Sequence, residues 1–271
     1  MKAARRLPRL IGVIHLPPLP GSPGASRFSA VDALSIAGER AVQEALALAR
    51  AGFEGLIVEN FGDAPFYKDR VPAETVAAMS IIAAAIREAV KIPVGVNILR
   101  NAGRDALAVA AVSGCDFIRV NILSGVAATD QGIIEADAAF LLRERARLNS
   151  AIGILGDVLV KHARSLSVDD VALAIEEVGL RAGADGVVIT GATTGRAVDP
   201  VRLEKASRAA RAHSIPLYIG SGMTADGLAE VRSKIDGVIV GSDLRRAGKA
   251  GAPLDLKRVR AFVKAYRRKQ R

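Results

Sequence analysis

The chain has 271 residues, half of them hydrophobic, with 4% aromatic and no Trp; Val, Ile, Leu and Ala must fill its core, which favours an α/β layer fold with strands covered on both faces. Its one cysteine, Cys115, excludes an intramolecular disulfide and a cysteine-rich metal site, and reads as a packed thiol. The formal charge of +10 lies at the ends, with Lys2, Arg5, Arg6 and Arg9 before the first strand and a basic run without acids over residues 257–271, and the body between them is near neutral.

In chain order, the first strand is expected over residues 10–16, ending on His15 and running into the proline loop Pro17-Pro-Leu-Pro-Gly-Ser-Pro23. A helix follows over 31–51, stopped by Gly52. Strand two spans 55–60 and ends in Glu59 and Asn60; helix two runs from Pro72 to about residue 90. Strand three (93–99) leads into Arg100 and Asn101, and helix three covers 104–112. Strand four (116–122) is followed by a loop of small residues and by helix four, 137–148. Strand five (152–160) ends in Lys161 and His162, and Ser167 is the expected N-cap of helix five. Strand six (186–190) leads into the loop Gly191–Gly195, and helix six spans 200–213. Strand seven (216–222), helix seven from 225, strand eight (236–243) and helix eight from 254 close the chain. Eight strand–helix units without a linker predict a single (β/α)8 TIM barrel over residues 1–271, with basic ends at 1–9 and 257–271. A doubly wound sheet is the alternative, but no GxGxxG follows the first strand.

In such a barrel the C-terminal strand ends build the site. Period-2 parity puts Arg119 and Asn121 on one face of strand four and Asp157 and Lys161 on one face of strand five. Arg119 could bind phosphate or carboxylate, or form an internal ion pair with Glu59 or Asp157. Lys161 could shuttle a proton, form an imine or sit in a salt bridge. Glu59 is a candidate general base or metal ligand, and His15 is either an acid–base group or a core histidine. Strands seven and eight end in Gly220-Ser221-Gly222 and Gly241-Ser242-Asp243. Such turns serve tight bends, but as a pair at these positions they can surround a phosphate with backbone N–H groups. His15, His162 and His213 lack metal-ligand spacing, and His213 falls at the opposite end of the barrel. No metal triad is evident and no cofactor is required, although a divalent cation could use Glu59, Asp63, Asp130 or Asp157.

No apolar run approaches the ~18 residues of a membrane span, and the expected location is cytoplasmic, with peripheral membrane contact open through the basic ends. Those ends could touch an anionic membrane surface or a protein partner. Nucleic acid is not expected, because only Tyr266 interleaves the terminal charges. A homo-oligomer is expected.

Six segments, Ile14–Pro23, Gly55–Phe66, Gly95–Asn101, Phe117–Asn121, Thr129–Glu135 and Asp157–Ala163, resemble the BtpA/SgcQ family, and the similarity extends through Gly220–Gly222 to Ser242. The resemblance implies a ribulose-phosphate-binding type of barrel. It also implies, for cyanobacterial members, a role in photosystem I biogenesis as an extrinsic thylakoid protein; members also occur where no photosystem exists. Two functions are therefore expected in competition. One is binding or turnover of a small phosphorylated metabolite, by lyase or isomerase chemistry if catalytic, with His15, Glu59, Asn121, Asp157 and Lys161 reacting and Gly220, Ser221, Gly222, Gly241 and Ser242 holding phosphate. The other is an assembly or stability factor for a membrane complex.

Overall fold

Eight parallel strands close into a barrel, β1 (Leu10–His15), β2 (Gly55–Glu59), β3 (Val94–Asn97), β4 (Phe117–Val120), β7 (Gly153–Val158), β9 (Gly186–Ile189), β10 (Leu217–Ile219) and β11 (Gly237–Val240), with β11 returning to pair with β1. The structure, a computed structural model, describes residues 7–148, 151–191 and 198–268. The helices between the strands are α1 (Ala30–Ala51), α2 (Ala73–Ala89), α3 (Gly103–Val112), α4 (Ala138–Arg147), α5 (Val171–Glu176), α6 (Pro200–Ala212), the single turn α7 (Leu228–Val231) and α8 (Leu256–Arg267). This is the expected (β/α)8 barrel. Lys2, Arg5 and Arg6, and the 192–195 part of the expected Gly191–Gly195 loop, lie outside the described residues.

Strand parity separates two cores. Ile11, Val13, Ile57, Phe117, Leu155, Val188, Tyr218 and Ile239 fill the barrel with Leu7. Their strand neighbours, among them Leu10, Ile14, Val58, Ile118, Ile154 and Val238, join the core between strands and helices. The two large rings inside the barrel, Phe117 and Tyr218, fit because Gly95 faces the first and Gly237 the second; a Cβ at either glycine would overlap the ring.

Two local expectations change. The loop after β4 contains a hairpin, β5 (Val126–Thr129) and β6 (Gly132–Glu135), and β5 also pairs with β8 (Ala163–Ser165) to make a three-stranded antiparallel sheet. The strands are short, and β5 draws part of its stability from a partner more than thirty residues away, so local patterning does not reveal it. Helix α5 is capped by Asp170, whose Oδ1 accepts from Ala172 and Leu173 N–H at 2.9 and 3.2 Å, rather than by Ser167, whose hydroxyl accepts from Val126 N–H. The basic run 257–268 is not a tail. It lies in α8 and the residue after it, and α8 buries Val259, Phe262, Val263 and Tyr266 against the barrel.

Gly95→Ala should destabilise the fold by roughly 1–3 kcal/mol through overpacking. Phe117→Leu in the same chain should recover part of that loss, read as non-additivity in urea denaturation.

Candidate active site

The same parity that fills the barrel sets its upper layer. His15 lies beside Glu59 and Glu59 beside Asn97 in register, one step above Val13, Ile57 and Gly95. On β4, Arg119 follows Phe117 at the same two-residue step. Its Nε and Nη2 donate to Asp157 Oδ1 and Oδ2, both at 2.8 Å, with both side chains buried. Asn121 Nδ2 donates to Asp157 Oδ2 at 3.2 Å, and Asn97 Nδ2 donates to Asn121 Oδ1 at 3.1 Å. Of the open readings of Arg119, the structure shows the ion pair with Asp157. Asn121 and Asp157 belong to this neutral network, and the open space beside them lies under the β5 strand, away from His15.

A cleft of about 460 Å3, its open mouth included, gathers the other expected residues. His15, Glu59, Lys161, Gly220, Ser221, Gly222, Gly241 and Ser242 all line it, with Arg119 as part of its floor. The His15 ring is held on three sides. Its Nδ1 accepts from Gly251 N–H at 3.2 Å, which leaves the proton on Nε2. That Nε2 faces Glu59 Oε1 at 3.8 Å, and the ring lies on Phe61 with centroids 4.5 Å apart. Burial, and then the charges of Arg245, Lys161 and Arg40, hold its pKa well below the usual imidazole range. Burial raises the pKa of Glu59 against the opposing pull of Arg119 and Lys161. Burial, then Arg119, lowers that of Lys161. All three groups are thus shifted toward their neutral forms. The Lys161 ammonium has no ion-pair partner among the described residues. Its segment bends through left-handed backbone at Leu159 (φ 49°) and His162 (φ 55°), conformations that cost non-glycine residues about 1–2 kcal/mol each.

The glycines have their own reasons to be there. A Cβ at Gly220 would press on Val188 and the Arg119 guanidinium, and one at Gly241 would touch the His15 ring at 3.0 Å. Close approach of the catalytic-side groups therefore accounts for these two glycines independently of any anion. The N–H groups of Gly222 and Ser242 have no acceptor among the described residues.

Several supporting residues were not singled out from sequence. Arg245, fully buried, pairs with Glu44 and donates to the carbonyls of Val13 (2.9 Å) and Ala252 (2.7 Å). Arg40 donates to Gly251 O at 3.0 Å. These bonds from α1 and the loop after β11 place the Gly251 N–H that fixes the His15 tautomer. Asp63 accepts from Leu19 N–H (2.8 Å) and Asn60 Nδ2 (3.1 Å), and Gly62 N–H donates to Leu16 O, so the proline loop and the loop after β2 form one locked wall. This locking explains the two long motifs Ile14–Pro23 and Gly55–Phe66. Only the strand-end placement of Asn60 was visible beforehand. Arg245 and Glu44 sit in a loop and on a helix, where sequence offers no distinguishing signal.

No group of three or more His, Cys, Asp or Glu side chains placed to hold a metal occurs among the described residues; Glu59, Asp63, Asp130 and Asp157 are not brought together as one. His213 pairs with Glu176 on the surface at the far end of the barrel. Cys115 is buried, and burial pushes its thiol pKa up to about 12.

The BtpA family's sequence profile matches residues 6–268. The chain belongs to the BtpA family. It is 46% identical to the photosystem I biogenesis protein BtpA of Synechocystis, over 94% of this chain and 87% of that one. An uncharacterised Thermococcus kodakarensis protein is 44% identical over 94% and 93% of the two chains, and an uncharacterised mitochondrial protein of Caenorhabditis elegans is 35% identical over 95% and 92%. Among solved structures, KGPDC from Streptococcus mutans has a TM-score of 0.59 at 14% identity, covering 97% of this BtpA-family chain and 99% of its own. Phosphoribosyl anthranilate isomerase from Thermus thermophilus has a TM-score of 0.57 at 12% identity, covering 95% and 98%. These likenesses establish the barrel fold.

Removing the carboxylate in Asp157→Asn leaves Arg119 buried and unpaired, and should cost roughly 3–5 kcal/mol in urea denaturation. The folded-state pKa of His15 lies below its ordinary value of 6.5, so the unfolded chain takes up the proton first as pH falls. Stability should therefore be full above that value and drop below it by up to about 1.4 kcal/mol per pH unit. His15→Gln should remove that part of the slope, measured by denaturation at pH 7.5 and 5.5.

Proposed function

We propose that the cleft binds a small phosphorylated metabolite and performs acid–base chemistry on it, of the isomerase or lyase kind. The observation that carries this reading is convergence. Two glycine–serine turns whose N–H groups at Gly222 and Ser242 lack acceptors open on the same cleft as Lys161, Glu59 and His15. In this reading the turns hold the phosphate and the Lys161 ammonium adds charge. Glu59, whose pKa is raised, exchanges a proton with the carbon next to a carbonyl, and the neutral His15 donates from Nε2 to the carbonyl oxygen, where negative charge develops. The pinned tautomer suits that donor role. Barrels of this fold named for phosphorylated compounds include phosphoribosyl anthranilate isomerase and 3-hexulose-6-phosphate synthase, which places the reading in familiar chemical company.

Inorganic phosphate and ribose 5-phosphate should bind measurably by titration calorimetry. Lys161→Met should weaken the sugar phosphate at least tenfold, about 1.4 kcal/mol, while leaving the unfolding midpoint near that of the parent. Absence of binding by every phosphorylated compound tried would sink the reading.

The second reading is an assembly factor docking on a membrane complex. The name of the Synechocystis relative favours it, as does the basic outer face of α8, where Lys257, Arg260 and Lys264 are exposed. The similarity of the worm protein, from an organism without photosynthesis, weighs against a photosystem as the general partner. Because α8 is part of the barrel, deletion of the basic run is not a clean test. Lys257→Glu with Arg260→Glu should leave folding intact and, on this reading, abolish co-sedimentation with vesicles of phosphatidylglycerol and phosphatidylcholine.

A further inference from the structure

Arg100 follows β3, which stands four strands from β10 in either direction round the barrel, so its backbone lies across the barrel from the glycine–serine turns, and its field reaches Glu59 in the cleft. It is 6% exposed, yet no carboxylate lies within ion-pair distance of it among the described residues. Its Nη2 donates to the Lys161 carbonyl at 2.6 Å, and its Nε has no hydrogen-bond partner among the described residues. Three acids reach it with their fields: Asp157 is paired with Arg119, burial favours the protonated form of Glu59, and Asp130 acts from beyond ion-pair distance. Beside it, the Lys161 ammonium is also without a counter-charge. Two neighbouring cations, one of them buried, are costly to keep without an anion.

The position is also rigid. Leu99 N–H donates to Asn60 Oδ1 at 2.7 Å and Arg100 N–H to Tyr67 O at 2.9 Å. Asn101 bonds both backbone groups of Ile122, at 2.8 and 3.1 Å. A single bond to a carbonyl does not need a guanidinium locked in this way. A rigid fork aimed at an incoming anion does.

We propose that Arg100 forms a second anion anchor beside Lys161, so that the ligand is a metabolite with two anionic ends, a phosphate at the glycine–serine turns and a carboxylate or second phosphate at Arg100. The proposal rests on reading the turns as a phosphate site.

The test is calorimetric, on the full chain, with ribose 5-phosphate, ribulose 1,5-bisphosphate, 6-phosphogluconate and malonate, against the parent, Arg100→Gln and Arg100→Lys. The two-ended phosphates should bind the parent at least tenfold more tightly than ribose 5-phosphate. The tighter of the two identifies the second group as phosphate or carboxylate. Arg100→Gln should erase that advantage while keeping the affinity for ribose 5-phosphate within about twofold, and Arg100→Lys should retain part of it. Equal weakening of all phosphates, or no advantage for two-ended ligands in the parent, would overturn the anchor. So would lowered thermal stability in both variants with an unchanged ratio of affinities, which marks Arg100 as structural. Malonate binding that depends on Arg100, with no phosphorylated compound bound, would keep the anchor and remove the phosphate reading. Binding of none of the four would remove both.

Discussion

Closure of eight parallel strands into a barrel is the constraint on which everything else depends. Once β11 pairs with β1, each inward position has inward neighbours on both sides, and strand parity decides membership of the interior. The lower inward positions are apolar and the next step up is polar: Val13 gives way to His15, Ile57 to Glu59, Phe117 to Arg119 and Leu155 to Asp157. The site is therefore the top layer of the core, held by the same pleat. Its chemistry comes from exchanging apolar for ionisable side chains one step before the strands end.

Placing charge at the end of an apolar barrel requires local neutralisation, and the chain achieves it unevenly. Arg119 and Asp157 satisfy each other with two 2.8 Å bonds, and Asn97 and Asn121 extend that network across β3 and β4. His15 and Glu59 meet at 3.8 Å, a distance that leaves room for a proton to be borrowed by a ligand. Lys161 and Arg100 are matched least. Charge is thus balanced at the Arg119–Asp157 pair and left unpaired at Lys161 and Arg100 among the described residues.

Much of this was legible in the sequence because a (β/α)8 chain writes its architecture as a repeat. The eight units, the strand-end residues His15, Glu59 and Lys161 and the two glycine–serine turns could all be placed before any coordinate was known. Asp157 and Arg119 were also legible as inward residues, but whether they served the ligand or each other depends on a contact between β4 and β7 that pattern does not show. The β5–β6–β8 sheet was hidden for a related reason: its strands are short and one partner lies beyond α4. Arg245 was illegible because its worth comes from reaching Glu44, a distant position on α1. The glycines at 220 and 241 carried a double meaning, since both also make room for Arg119 and His15.

The pairing of the first and last barrel strands has a consequence for how the protein is made. Leu10 hydrogen-bonds into register with Val238, so the contact that closes the barrel joins residues near the two ends of the chain. His15 waits on the early strand for Gly251, which is made 236 residues later. Such long-range closure is slow relative to local helix formation and leaves strand edges uncovered meanwhile. The half of the cleft that carries the imidazole thus has no partner until β11 and the loop after it exist, and the cleft takes shape in the same step as topological completion.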